Sequence, residues 1–190
     1  DGGQWSYTEL KGEVDRLAVG LIDLGIAKND KILVRSRNLP QTVAALLAAL
    51  KIGAVPVWVN ALLREEELAY ILDNSEARTA YSMAELVAPL QSLRDRGLID
   101  NIIILDGPGE AAGEHGYETL KAPPGATPPE PDTAAMDPAF MCYSSGTTGR
   151  PKGIAHAHRW VITVGDPCLV QSEYNKEDIV LTPGEFSFMG

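Results

Sequence analysis

Short apolar strand patterns alternate with amphipathic helical patterns along the first hundred residues, and this alternation limits the fold more than any other feature. One helical pattern places apolar residues at i, i+3, i+4 and i+7 from Leu10 to Leu24, with Thr8 as the expected N-cap and Gly25 at C′. Strands that alternate with helices of this kind indicate βαβ units. We predict an α/β fold of mainly parallel sheet with flanking helices in Rossmann-like layers.

The expected strands are short, continuous apolar runs, which are typical of parallel strands covered by helices on both faces. An Ala- and Leu-rich helix is expected from Pro40, a favourable residue in a first turn, to just before Gly53. The next expected helix has an acidic first turn, which complements the positive end of the helix dipole. We place strands at 31–35, 55–59, 78–82, 101–105 and 139–143, and the remaining helices at 64–74 and 84–95.

Composition changes at Asp106, where the alternation stops. Residues 106–138 hold seven of the thirteen prolines and five glycines, which is typical of a surface connection. We predict one helical turn within it, near Tyr117–Lys121. The connection would divide the chain into a first βα block at 1–105 and a segment at 139–190 that starts a second βα block.

The apolar stretch Thr42–Leu63 is long enough to be considered as a membrane span. Lys51, Gly53 and Pro56 interrupt it, and its two halves differ in composition, so a buried helix followed by a buried strand is the better interpretation. We therefore predict no membrane span.

The charge balance and the cysteines exclude several classes of function. Sixteen basic against 26 acidic residues give a formal charge of −10, which argues against binding to nucleic acid. The two cysteines, Cys142 and Cys168, form no CxxC or Cys/His pattern, which indicates reduced thiols and no structural zinc. We therefore predict a cytoplasmic protein without a metal site.

A loop rich in glycine and hydroxyl side chains follows the expected strand at 139–143. The ten residues from Ser144 to Gly153 read SSGTTGRPKG and contain four hydroxyls, three glycines and two cations. Glycines let backbone N–H groups turn towards an anion, hydroxyls donate further hydrogen bonds, and a lysine adds a compact positive charge. No acidic residue occurs from Pro138 to Gly165, although the chain is acidic overall. The pattern favours a phosphate-binding loop.

This loop matches neither common class of phosphate loop. The pattern GxxxxGK[ST] fails because Pro151 stands five residues after Gly146 and Gly153 follows Lys152, and GxGxxG is absent. A solvated turn that only joins two strands is the alternative, because glycine, serine and threonine are common in turns. The order of the residues, more than their composition, favours phosphate binding.

The loop and the opening of the chain resemble the adenylate-forming (AMP-binding) superfamily, which includes acyl- and aryl-CoA ligases, peptide-synthetase adenylation domains and luciferases. The stretch Tyr143–Gly153, YSSGTTGRPKG, is similar to the signature of that superfamily, and it continues into Ile154–His156. Trp5–Leu10 and Lys51–Val57 are similar to its opening blocks. Many relatives carry threonine at the position of Ser144, which keeps the hydroxyl. The resemblance covers essentially the whole chain and is strongest to the N-terminal part of an acyl- or aryl-CoA ligase.

The resemblance implies a reaction and a set of site residues. Enzymes of the superfamily activate a carboxylic acid with ATP to an acyl-adenylate, release pyrophosphate, and in most cases pass the acyl group to a thiol. Lys152 would be catalytic, by offsetting the charge of the departing pyrophosphate. Phe186 and Phe188 would line the acyl or aryl pocket, with a place in the core as the alternative. The implied phosphate-binding residues are Ser144, Ser145, Gly146, Thr147, Thr148, Gly149, Lys152 and Gly153.

Two histidines follow the loop, and their spacing places His156 and His158 on one face of a predicted strand. A metal pair is one interpretation, but no third ligand is placed nearby, and zinc sites use at least three protein ligands. The resemblance assigns His156 to the extended signature with a structural role. We therefore predict no metal ligand in this segment.

Later motifs of the superfamily have no match in these residues. They include the glutamate that helps to hold magnesium, the ribose-binding aspartate, the hinge and the C-terminal lid with its lysine. We therefore expect an N-terminal fragment that is inactive alone, with ATP, Mg²⁺ bound mostly outside this chain, and coenzyme A as cosubstrate. The expected partners are a small carboxylic acid and the remainder of the enzyme, with a homo-oligomer left open. The alternatives are a non-catalytic phosphate-binding or interaction fragment and a piece of a peptide-synthetase domain.

Overall fold

The computed structural model describes residues 4–144, 150–164 and 177. Residues 158–164 are helical, and a single 3₁₀ turn at Ala84–Leu86 precedes the fourth helix. The other helices are α1 (Tyr7–Asp23), α2 (Pro40–Lys51), α3 (Glu65–Ser75), α4 (Ala88–Asp95) and α5 (Tyr117–Leu120). The strands are β1 (Lys31–Arg35), β2 (Val55–Trp58), β3 (Thr79–Ser82), β4 (Asn101–Ile104), β5 (Glu114–Gly116), β6 (Pro138–Ser144) and β7 (Lys152–Ala157).

The strands form one seven-stranded sheet in the order β5-β4-β3-β1-β2-β6-β7. All neighbouring pairs are parallel except β6 and β7, which confirms the predicted α/β fold with a mainly parallel sheet. β5 lies inside the predicted surface connection and was not expected as a strand. Strands from all three predicted parts of the chain share this sheet, and the division at 105 and 138 stays a prediction.

Helices cover the sheet on both faces, and each face has its own apolar core. Along β1, Ile32 and Val34 contribute to the core that α1 and α2 cover, whereas Leu33 contributes to the core beneath α3 and α4. Successive side chains of a strand point to opposite faces, so a continuous apolar run supplies both cores. This arrangement explains why the strand patterns show no alternation of apolar and polar residues.

Helix α1 begins one residue earlier than its predicted cap. The Ser6 N–H donates to Glu9 Oε2 at 2.7 Å, and the Glu9 N–H donates to Ser6 Oγ at 3.2 Å. This reciprocal capping box makes Ser6 the N-cap, so the prediction of Thr8 was wrong. Gly25, with φ +92°, follows the C-cap in the left-handed region, as expected for C′.

A buried carboxylate joins α1 to α2. Asp15 is 3% exposed, and it accepts from Lys11 Nζ at 2.6 Å and from Lys51 Nζ. Burial alone raises the pKa of a carboxyl group, but the hydrogen bonds and charges of the two lysines outweigh it and hold the pKa of Asp15 below its usual range. Because its folded pKa is lowered, this pairing stabilises the fold above the ordinary carboxyl pKa and is lost as the pH falls.

Replacing Asp15 with Asn is expected to lower the free energy of unfolding at pH 7 by about 1–3 kcal/mol, because two ammonium groups lose their shared partner. The variant should also lose less stability than the wild type as the pH falls below about 4, since the group that titrates is gone. Chemical denaturation at several pH values measures both effects. Asp23→Asn, at the exposed end of the same helix, should change stability by less than about 0.5 kcal/mol. Parallel pH profiles for the wild type and Asp15→Asn would contradict the prediction.

A buried arginine fixes the segment that leads from β2 to α3. Arg35, the last residue of β1, is 6% exposed and donates to the carbonyl oxygens of Ala61 at 2.7 Å and Leu63 at 3.1 Å, and also to that of Leu86. These bonds satisfy backbone groups at the carboxyl end of the parallel strands. They help to set the position from which α3 begins.

The apolar stretch 42–63 is confirmed as a helix followed by a strand, α2 and β2. In the parts of the chain that the structure describes, no helix is both long and apolar enough to cross a membrane.

Candidate functional site

The loop that was singled out in the sequence closes a hairpin at the carboxyl edge of the sheet. β6 runs parallel to β2, so its last residue, Ser144, leaves the sheet at the edge where the parallel strands end. Ser144 pairs with Lys152, the first residue of the antiparallel strand β7. In open α/β sheets, ligands bind in the crevice outside this edge. We call the residues on either side of 145–149 the two stems of the loop: 143–144 form the first stem and 150–153 the second. The stems are neighbours at the expected place for a ligand.

The structure describes only part of the predicted site. Ser144, Lys152 and Gly153 are exposed, as is Arg150. Five predicted phosphate-binding residues lie outside the described residues: Ser145, Gly146, Thr147, Thr148 and Gly149. Phe186 and Phe188 also lie outside them, so the predicted acyl pocket is not described. The described part of the site therefore consists of its two stems.

Gly153 has a packing role that sequence reasoning missed. A Cβ atom on Gly153 would lie 3.1 Å from Cζ of Tyr143 and 3.1 Å from Cε of Met141. Tyr143 is the cross-strand partner of Gly153, so the aromatic ring lies over the glycine. A glycine here leaves room for the Tyr143 ring, whose hydroxyl contacts α3.

Helix α3 contacts both stems. The Tyr143 hydroxyl donates to Asn74 Oδ1 at 2.7 Å, just before the loop. On the second stem, the Tyr70 hydroxyl donates to the Pro151 carbonyl oxygen at 3.1 Å. The guanidinium carbon of Arg150, also on this stem, lies 5.2 Å from the centroid of the Tyr70 ring. Tyr70 and Asn74 were not recognised from the sequence, because their contacts with the stems are long-range and only their i, i+4 spacing on a helix is a local feature.

The stems present positive charge to solvent. Among the described acidic side chains, none forms an ion pair with Arg150 or Lys152. Both cations are therefore free of a described carboxylate and suit an anionic ligand. Burial raises the pKa of the Cys142 thiol, which keeps it protonated at neutral pH and unsuited to be a nucleophile.

Comparison with known proteins decides the family. The chain matches the family model described as "AMP-binding enzyme" over residues 1–190. The chain belongs to the AMP-binding enzyme family. This confirms the resemblance drawn from the loop and the opening blocks.

Individual AMP-binding relatives are CoA ligases. The chain is 30% identical over 186 residues to a 3-hydroxybenzoate–CoA/4-hydroxybenzoate–CoA ligase of Thauera aromatica, covering 96% of this chain and 34% of that protein. It is 32% identical over 183 residues to a crotonobetaine/carnitine–CoA ligase of Escherichia coli O17:K52:H18, covering 94% and 35%. The chain thus spans about a third of the length of these curated relatives.

Among solved AMP-binding structures, one similar chain is the anthranilate CoA ligase AuaEII in complex with anthranoyl-AMP. The TM-score is 0.75 at 27% identity, and the match covers 86% of this chain and 31% of that one. The fold of this chain is therefore that of the N-terminal part of an AMP-binding enzyme.

The two histidines of this AMP-binding chain do not share a strand. His156 lies on β7, where its ring stacks on Phe140 at 4.7 Å and lies 4.6 Å from the Trp160 ring. His158 begins the helix at 158–164, so the prediction that both lie on one strand face was wrong. The aromatic contacts of His156 give it a packing role at the far end of β7. In the described residues, no group of three His, Cys, Asp or Glu side chains is placed to hold a metal.

Proposed function

We propose that this chain is the N-terminal part of an ATP-dependent carboxylic acid:CoA ligase, and that the β6–β7 loop binds the phosphates of ATP. The observation that carries the proposal is the pairing of Ser144 with Lys152, which brings the two described ends of the signature stretch together at the carboxyl edge of a parallel sheet. The relatives that the chain matches are CoA ligases acting on aromatic and aliphatic acids, which supports the reaction class. CoA, rather than a carrier protein, is the acceptor we propose.

The described stems fit a triphosphate. Lys152 and Arg150 supply cations without a described carboxylate partner, and Ser144 pairs with Lys152 across the hairpin. We assign further phosphate contacts to Ser145, Gly146, Thr147, Thr148, Gly149 and Gly153. Hydrogen bonds to charged oxygens are worth about 1.5–3 kcal/mol each, so several that converge on one ligand hold it firmly.

The residues of this chain act by position and charge. Lys152 stabilises the negative charge that develops on the departing pyrophosphate when the substrate carboxylate attacks the α-phosphorus and the bond to the β-phosphate oxygen breaks. The hydroxyls and backbone N–H groups of the loop orient the phosphates for that attack. Mg²⁺ would neutralise further phosphate charge, and we assign its ligands mostly to residues outside this chain.

The proposal extends to the acid, the partner and the cell compartment. We assign Phe186 and Phe188 to the pocket for the acyl or aryl group of a small carboxylic acid. The remainder of the enzyme completes the site, and a homo-oligomer stays open. The pattern of the two cysteines supports a cytoplasmic location.

ATP–pyrophosphate exchange tests the proposal. The full-length protein that carries this chain should exchange label between pyrophosphate and ATP only when a suitable acid is present, in a panel of hydroxybenzoates, aminobenzoates and aliphatic acids. The 190-residue chain alone should not reach ordinary enzyme rates of about 1–1000 per second. Binding of ATP without exchange for any acid would favour the non-catalytic alternative, and normal turnover by the short chain would contradict its inactivity.

A further inference from the structure

We propose that Tyr70 and Asn74 are positioning residues that fix both stems of the phosphate loop to the body of the domain. They stand four residues apart on α3, so their side chains lie on one face of the helix. One contacts the strand that leads into the loop and the other contacts the segment that leaves it. This inference rests on the proposed function of the loop.

The first stem is held by Asn74. Its Oδ1 accepts a hydrogen bond from the Tyr143 hydroxyl at 2.7 Å, and Tyr143 immediately precedes Ser144. Burial raises the pKa of Tyr143, so the phenol keeps the proton that this bond needs at neutral pH. The bond fixes the ring, and the ring lies over Gly153 of the second stem.

The second stem is held by Tyr70. Proline has no N–H, so the carbonyl oxygen of Pro151 is the backbone hydrogen-bonding group by which this residue can be anchored, and it accepts from the Tyr70 hydroxyl at 3.1 Å. Because a peptide group is planar, fixing that carbonyl also fixes the N–H of Lys152. The face of the Tyr70 ring meets the Arg150 guanidinium at 5.2 Å, which orients a second cation of the loop.

These contacts matter because β7 is the edge strand of the sheet. Its residues from Lys152 to Ala155 are exposed, so β7 has little packing of its own to hold it. The ladder with β6 fixes the stems to each other, and β6 is fixed to the sheet through Met141 and Cys142, which pair with β2. The contacts from α3 hold the stems closer to the loop, at Tyr143 and Pro151. A loop that is held in place before its ligand arrives loses less conformational freedom on binding.

Two substitutions in the full-length protein test the positioning role. Tyr70→Phe keeps the ring against Arg150 and removes the bond to Pro151, and Asn74→Ala removes the acceptor for Tyr143. Each should lower kcat/KM for ATP by about threefold to tenfold, the range expected for one hydrogen bond, in ATP–pyrophosphate exchange. The KM for the carboxylic acid should change by less than about twofold, since the role proposed for the stems is to hold the phosphates.

A double-mutant cycle sharpens the test. Combining Asn74→Ala with Tyr143→Phe should cost no more than the larger single substitution, because both remove the same hydrogen bond. Full additivity of the two effects would show that the bond does not position the loop.

Tyr81→Phe is the matched control. Its hydroxyl donates to the Ala45 carbonyl oxygen at 3.2 Å, within the core that α1 and α2 cover, so the substitution removes the same kind of bond away from the loop. It should lower thermal stability and leave kcat/KM for ATP unchanged. The inference would be overturned if Tyr70→Phe and Asn74→Ala changed the KM for the acid as much as kcat/KM for ATP. An equal loss of kcat/KM for ATP in Tyr81→Phe would also overturn it.

Calorimetric titration with ATP separates this inference from the proposed function. If the unmodified protein failed to exchange pyrophosphate in the presence of any acid of the panel, the proposed reaction would be wrong. The positioning role would still be decided by the Kd for ATP, which should rise about threefold to tenfold in Tyr70→Phe and Asn74→Ala and stay unchanged in Tyr81→Phe. An unchanged Kd in all three variants would refute it.

Discussion

Replacing Lys152 with alanine in the full-length protein is expected to slow acyl-adenylate formation by about 100- to 1000-fold, the range found when one preorganised charge-stabilising donor is removed. Lys152 is exposed at the start of β7, opposite Ser144, and forms no ion pair with a described carboxylate. In the proposed reaction its charge is available to the phosphates, and the need for that charge grows as pyrophosphate leaves. Single-turnover measurements of acyl-adenylate formation give the rate directly.

The same variant should bind the carboxylic acid almost normally, because the role proposed for Lys152 is on the phosphate side of the reaction. Calorimetric titration with the acid measures this. Lys31→Ala is a suitable control, because Lys31 begins β1 at the amino end of the parallel strands, away from the loop. Its Nζ lies 3.8 Å from Oε2 of Glu76. That control should leave the rate unchanged. Equal losses of adenylation rate and acid affinity in Lys152→Ala would contradict the assigned role.

Replacing Gly20 with alanine is expected to lower the free energy of unfolding by about 3 kcal/mol, with a fall in Tm of about 6–12 °C. A Cβ atom at Gly20 would lie 1.9 Å from the carbonyl oxygen of Leu120 on α5 and 2.9 Å from its carbonyl carbon. The backbone at that point cannot yield cheaply, because Arg16 and Ala122 are joined by two hydrogen bonds, at 2.7 and 3.0 Å. Thermal and chemical denaturation measure the loss.

Helix α1 offers a control for the same substitution. Gly12 is exposed on α1, and a Cβ atom there would meet no atom within 4 Å. Gly12→Ala should therefore stabilise the protein by about 0.5–1 kcal/mol, because alanine has the higher helix propensity. The two substitutions should thus have opposite signs. A neutral effect of Gly20→Ala would mean that α5 does not pack on α1 as described.

The main layers of the fold could be predicted from sequence because local patterns determine them. The first four strands and the first three helices lie within a residue or two of their predicted bounds. β5 was missed because its sequence, Glu-His-Gly, has no apolar run, and it becomes a strand only by pairing with β4. Thr8 was predicted in place of Ser6 because serine and threonine can both cap a helix. Only the structure shows which of the two side chains reaches the backbone.

The candidate site shows the same division between local and long-range information. The loop could be recognised from the order of its residues, and the family comparison confirms the class of protein. Tyr70 and Asn74 could not be recognised, since they come from a helix more than sixty residues earlier in the chain. His158 was misplaced because the strand ends at Ala157, where the chain turns into a helix.

The place of β6 beside β2 bears on the order in which the domain assembles. Val57 pairs with Met141, and the intervening chain forms β3, β4 and β5 on the opposite side of β1. The hairpin of β6 and β7 is a local structure and closes quickly once both strands have left the ribosome, but its docking beside β2 carries the entropy of a long chain closure. We therefore expect the hairpin to dock late in folding, onto strands that have already paired.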